Sequence, residues 1–157
     1  MLQLPLILLL ATAFPSQSQT AWMRPESFHL IVGMSRAETE KVLAENSWKP
    51  KKGKSDAQLI VDYTDAQSVT LDFRNDRLHA IRFEYFAFIP DARKAFEEEK
   101  AFLRKTLGKP KKGIRSKTIL VYDNRLPNVM VVLSDDPKTE NGRQGIAFLS
   151  VRYYDPR

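Results

Sequence analysis

Lys49-Pro50-Lys51-Lys52-Gly53 recurs as Lys109-Pro110-Lys111-Lys112-Gly113, a shift of 60 residues from position 49 to position 109. Carried outward without a gap, the same shift lays residues 35–43 on 95–103, Leu59-Ile60-Val61 on Ile119-Leu120-Val121, and 69–73 on 129–133. Self-similarity at a fixed spacing marks one supersecondary unit used twice. The unit can be read from the residues around each copy.

Upstream of the first copy lies Gly33-Met34-Ser35-Arg36-Ala37-Glu38. Ser35 followed three residues later by Glu38 is a capping box, in which each side chain satisfies a backbone N–H left free at a helix start. It predicts a helix over about 36–46, amphipathic through Ala37, Val42 and Leu43. A second helix is predicted after Pro90-Asp91, with Asp91 as its N-cap. Its apolar stripe is Ala92, Ala95, Phe96, Phe102, Leu103 and Leu107, and its wet face is Glu97, Glu98, Glu99, Lys100, Arg104 and Lys105. Gly108 suits the position just past the helix, and Pro110 stops it.

Three apolar runs of strand length follow each helix: 59–63, 68–73 and 78–86, then 118–122, 128–133 and 145–154. Period two is plain where Val69, Leu71 and Phe73 alternate with Thr70, Asp72 and Arg74. Asn75-Asp76 is a hairpin composition, since both residues tolerate positive φ. The expected fold is α+β: two tandem αβββ repeats, about 28–88 and 89–155, forming one antiparallel sheet of about six strands with both helices packed on one face.

The apolar run Leu4-Pro5-Leu6-Ile7-Leu8-Leu9-Leu10-Ala11 is too short for a transmembrane span, which takes about 20 apolar residues. With small residues following at Ala11, Ala13, Ser16, Ser18 and Ala21, residues 1–21 read as a signal peptide; a buried N-terminal strand or short helix is the alternative. The rest, 22–157, is expected to form a single domain. With no cysteine, the chain excludes a disulfide framework, a thiolate metal site and a lipid-modified cysteine. Since Arg24 is the first charged residue, the whole net charge of +6 belongs to the domain. A periplasmic or secreted location follows.

Opened by Gly33-Met34-Ser35-Arg36-Ala37-Glu38 and continued by the strand–turn–strand Val69-Thr70-Leu71-Asp72-Phe73-Arg74-Asn75-Asp76-Arg77-Leu78, the chain resembles the small exported αβββ domains. These include the SmpA/OmlA outer-membrane-assembly lipoproteins and the tandem-repeat β-lactamase inhibitor proteins. The chain lacks the lipobox cysteine of the first and the disulfides of the second. The resemblance implies a binding protein that docks another protein on its sheet face or loops.

Candidate chemistry is sparse. Ser35 stands in a string close to a nucleophile elbow, but the chain has only His29 and His79 to serve as a base, and the capping role explains the serine. Asp135-Asp136 beside Pro137 reads as turn chemistry, and Glu97-Glu98-Glu99 as a solvated helix face. No cofactor or metal set is expected. A hydrolase-like enzyme would need Asp72, Asp76, Asp135 or Glu84 gathered in a pocket.

Two binding surfaces remain. Lys51, Lys52, Lys54, Lys111 and Lys112 lie in loops that the repeat puts at the same point of each unit, so they are expected along one edge as a shared basic surface for an anionic envelope component. The alternative is that these lysines confer solubility and blunt sheet edges. The other surface is the sheet face away from the helices. If Ile81, Phe83, Tyr85, Leu149, Val151 and Tyr153 point inward, then Arg82, Glu84, Phe86, Phe148, Ser150, Arg152 and Tyr154 point outward, a mixture of aromatics and arginine enriched at protein interfaces. The alternative is that the N-terminal segment or the long loop covers the sheet edges. Nucleic acid is not an expected partner, because the basic clusters lack interleaved aromatics. The sequence-level function is an exported non-enzymatic binding module, with a hydrolase-like enzyme or a structural protein at an anionic membrane surface as alternatives.

Overall fold

The computed structural model describes residues 23–111, 118–123, 127–135 and 145–157. The expected leader, Lys112 and Asp136 lie outside the described residues. A 3-10 helix, Pro25–Phe28, precedes α1 (Arg36–Glu45), β1 (Lys51–Lys52), β2 (Gln58–Thr64), β3 (Gln67–Arg74), β4 (Arg77–Phe88), α2 (Ile89–Leu107), β5 (Ile119–Tyr122), β6 (Asn128–Asp135) and β7 (Ile146–Tyr154). This is an α+β protein, with two α-helices and one sheet among the described residues.

The strands form a seven-stranded sheet in the order β1-β2-β3-β4-β7-β6-β5, antiparallel at every pairing. About six strands were expected; the seventh is β1, made by the first lysine loop where it folds back onto β2. β4 and β7 are the centre, paired from Ala80↔Tyr154 to Phe88↔Ile146. The halves on either side are unequal. β2 has 7 residues against 4 in β5, and α1 has 10 against 19 in α2.

Local chemistry explains the elements. Ser35 Oγ accepts from the Glu38 backbone N–H at 3.2 Å while the Glu38 carboxylate accepts from Ser35 N–H at 2.8 Å, the expected capping box. The start of α1 is pinned to β4, since Gly33 N–H donates to Leu78 O and Leu78 N–H to Met34 O, each at 2.7 Å. Asn75 and Asp76 hold φ of 49° and 60°, as the turn between β3 and β4 requires. The start of α2 differs from expectation: the N-cap is Phe88, and Asp91 lies in the first turn without capping. Pro90 accounts for this, because a proline in the first turn has no N–H to satisfy and its φ suits a helix.

One hydrophobic core joins both helices to the sheet. Val42 and Leu43 of α1 and Ala92, Ala95, Phe96 and Leu103 of α2 are buried with Ile81, Phe83, Tyr85, Leu149, Val151 and Tyr153. The N-terminal segment closes this core. Met23 is fully buried, and the Phe28 ring lies 4.6 Å from that of Trp48 and 5.8 Å from that of Phe83. One expectation fails here. Glu99, assigned to the wet face of α2, is fully buried, because positions 92, 96, 99 and 103 follow the buried stripe of the helix.

Candidate functional site

With the inward set of β4 and β7 buried, the alternate positions project from the opposite face, on which no helix packs among the described residues. Register places Arg82 opposite Arg152, Glu84 opposite Ser150, Phe86 opposite Phe148, and Ala80 opposite Tyr154. Toward one end the surface is apolar. Phe86, Phe88 and Ile146 are 48%, 53% and 56% exposed, and the Phe86 and Phe148 ring centroids lie 5.1 Å apart. These residues form one contiguous patch on two adjacent strands, and burying such side chains is favourable at about 25 cal/mol per Å² of apolar surface. Beside Phe86 a hollow of about 400 Å³ is lined by Asp62, Thr64, Asp65, Gln67 and Ser68.

The middle of the face is polar and basic. Glu84 is largely sheltered: its carboxylate accepts from Ser68 Oγ at 3.3 Å and Thr70 Oγ1 at 3.5 Å, and lies 3.5 Å from Arg82 Nε. Arg152 sits over the Tyr154 ring, 5.3 Å from its centroid, and no carboxylate pairs with it among the described residues. Ser150 is buried by its neighbours.

The two lysine loops are not brought together. Lys51 and Lys52 form β1 at one end of the strand order, while Lys111 donates its backbone N–H to Val121 O of β5 at the other, at 2.7 Å. Six strand spacings of about 4.8 Å separate them, about 29 Å in all. A shared basic surface along one edge is therefore replaced by two separate edge segments. Lys51 and Lys52 pair with β2 and Lys111 with β5, and each has an acid at hand: Lys51 pairs with Asp62, Lys52 with Asp56, and Lys111 with Asp123 at 2.8 Å. Its partner Asp123 raises the Lys111 pKa through a hydrogen bond. Lys54 is exposed and has no carboxylate partner among the described residues.

Of the acids a hydrolase would use, the Asp135 side chain lies outside what the structure describes, and the other three are engaged or exposed separately. Asp72 accepts from Gln58 Nε2 at 2.7 Å, Asp76 stands in the exposed β3–β4 turn, and Glu84 is engaged as above. Among the described residues no group of three or more metal-ligating side chains gathers, and no helix is long and apolar enough to cross a membrane. The sequence reading missed Phe88 and Ile146 as part of the apolar patch. Their parity with Phe86 and Phe148 was the available signal; Phe88 fell outside the expected strand 78–86, while Ile146 lay inside the expected strand 145–154 and was passed over. No protein-family model, curated protein or solved structure matches the chain.

Proposed function

We propose that the chain is an exported, non-enzymatic binding protein, built from a duplicated αβββ unit, that docks another protein on the open face of its sheet. The observation that carries this reading is the exposed patch Phe86, Phe88 and Ile146 beside Phe148, on a face where no helix packs among the described residues. The lysine loops are weaker candidates, since Lys51, Lys52 and Lys111 have acidic partners and the two sets lie at opposite ends of the strand order. The occupant is a folded or extended protein segment with an apolar anchor and an acidic group to one side of it, because Arg82 and Arg152 stand opposite each other on this face beyond the patch, while Asp62, Asp65 and Asp91 flank the patch itself. A photo-crosslinking residue placed at Phe148, and separately at the exposed Lys94 of α2, tests it in the source cells. A discrete adduct from position 148 alone supports the docking face; equal adducts, or none from position 148, overturn it.

A further inference from the structure

Arg82 and Arg152 are direct register partners on neighbouring antiparallel strands and share the open face. Like charges placed opposite each other across a strand pair are destabilising. The local compensation is incomplete: Glu84 stands 3.5 Å from Arg82 Nε and also accepts two hydroxyls, while Arg152 has the Tyr154 ring. The Nε of each guanidinium is buried and donates no hydrogen bond among the described residues. Glu84 turns to the β3 hydroxyls of Ser68 and Thr70, away from β7, so Arg152 has no carboxylate partner among the described residues and the facing pair of arginines leaves unmatched positive charge in the middle of the face. A carboxylate is the natural complement, because guanidinium forks match its planar geometry and bind it through paired charge-assisted hydrogen bonds.

We propose that Arg82 and Arg152 form a carboxylate clamp, so that the docked protein presents an Asp or Glu side chain here while an apolar side chain seats on Phe86 and Phe148. This rests on the docking face proposed above and specifies its partner. Phe86 is four residues along β4 from Arg82, so acid and apolar anchor lie about 13 Å apart, about four positions in an extended segment.

The probe is a displayed library of random peptides about twelve residues long, enough to span the face when extended. Panned on the whole folded domain, it is expected to yield sequences with Asp or Glu about four positions from an aromatic or large aliphatic residue. A synthetic consensus peptide with an amidated C-terminus should bind the parent. Arg82→Gln and Arg152→Gln should each weaken it about tenfold or more, with thermal stability kept, and added salt should weaken the parent complex. Phe148→Ser should weaken it too. If the arginine variants bind like the parent while Phe148→Ser does not, the clamp is wrong and the docking face stands. If all three bind like the parent, or no sequence is enriched on a domain shown to be folded, both fall. Binding of anionic vesicles that depends on the two arginines, without peptide binding, overturns the clamp in favour of a lipid headgroup site.

Discussion

Arg24 Nη2 lies 3.4 Å from the Glu99 carboxylate, and this ion pair joins the N-terminal segment to α2 within the protein. The pairing is incomplete. Glu99 is fully buried, and among the described residues its second oxygen has no partner, nor has Arg24 Nε or the Tyr122 hydroxyl. Arg24 is further held by its guanidinium lying 3.4 Å from the centroid of the Phe102 ring.

Burial dominates the titration of Glu99 and pushes its pKa from an ordinary 4.5 up to about 7, although Arg24 pulls the other way; Glu26 adds to the rise. Tyr122 and Tyr153 are pushed up in turn, first by burial and then by Glu99. Because the folded state binds the Glu99 proton more tightly than the unfolded chain, this group's contribution is fully present below 4.5 and is lost as pH rises through about 7. At 1.36 kcal/mol per pH unit, the loss is about 3 kcal/mol. Urea unfolding at pH 5 and pH 8 should show this decline in the parent and a flatter profile in Glu99→Gln, which should be the more stable of the two at pH 8. Equal slopes in both would remove Glu99 as the cause. Asp155, held at about 2 by hydrogen bonds from Arg157, acts oppositely and only at the acid end.

The N-terminal boundary of the folded unit follows from the same contacts. Removing residues 1–21 should leave a stably folded domain. Starting the chain at Pro25 removes the fully buried Met23 and leaves Glu99 without Arg24. Losing a buried methionine side chain costs about 2–5 kcal/mol, and stranding a buried carboxylate adds to it wherever the group is ionised. The shorter chain should thus be destabilised at pH 5 and more so at pH 8. A shorter chain as stable as the longer one would show that the segment is not part of the core.

Two positions before and at the start of α1 should respond to different physics. Ser35→Ala removes the hydroxyl that accepts from Glu38 N–H and should cost about 1 kcal/mol. Gly33 holds φ of 101° with nothing within 4 Å of where a Cβ would stand. Gly33→Ala should therefore cost about 1 kcal/mol through backbone conformation alone. Chemical denaturation of both single variants and the double variant checks this, and a Gly33→Ala protein as stable as the parent would contradict the conformation.

Features governed by neighbours in the chain were legible: the Ser35–Glu38 box, the Asn75-Asp76 turn and the two faces of β4 and β7 all depend on spacings of a few residues. Glu99 was also legible in principle, since position 99 continues the stripe through 92, 96 and 103, but its place in a run of three glutamates suggested solvent. The lysine loops were not legible to the same degree. Where they lie depends on β4 and β7 meeting in the centre, a long-range pairing that sends the outer strands of each half to opposite rims. The Arg82–Arg152 pair likewise requires the register between strands about 70 residues apart in the chain.

That separation predicts how the lysines act on any anionic surface. Sites more than about 10 Å apart without shared partners contribute additively, and the loops stand about 29 Å apart. Replacing Lys51 and Lys52 by Gln should change stability by less than about 1 kcal/mol, because each loses only an exposed ion pair, with Asp62 or Asp56. Lys111→Gln should do the same through Asp123. On anionic vesicles at low salt, the triple variant should lose the product of the factors lost by the Lys51/Lys52 variant and by Lys111→Gln. A loss far beyond that product would mean that both loops engage one ligand at once, and the two rims would then have to be treated as a single site.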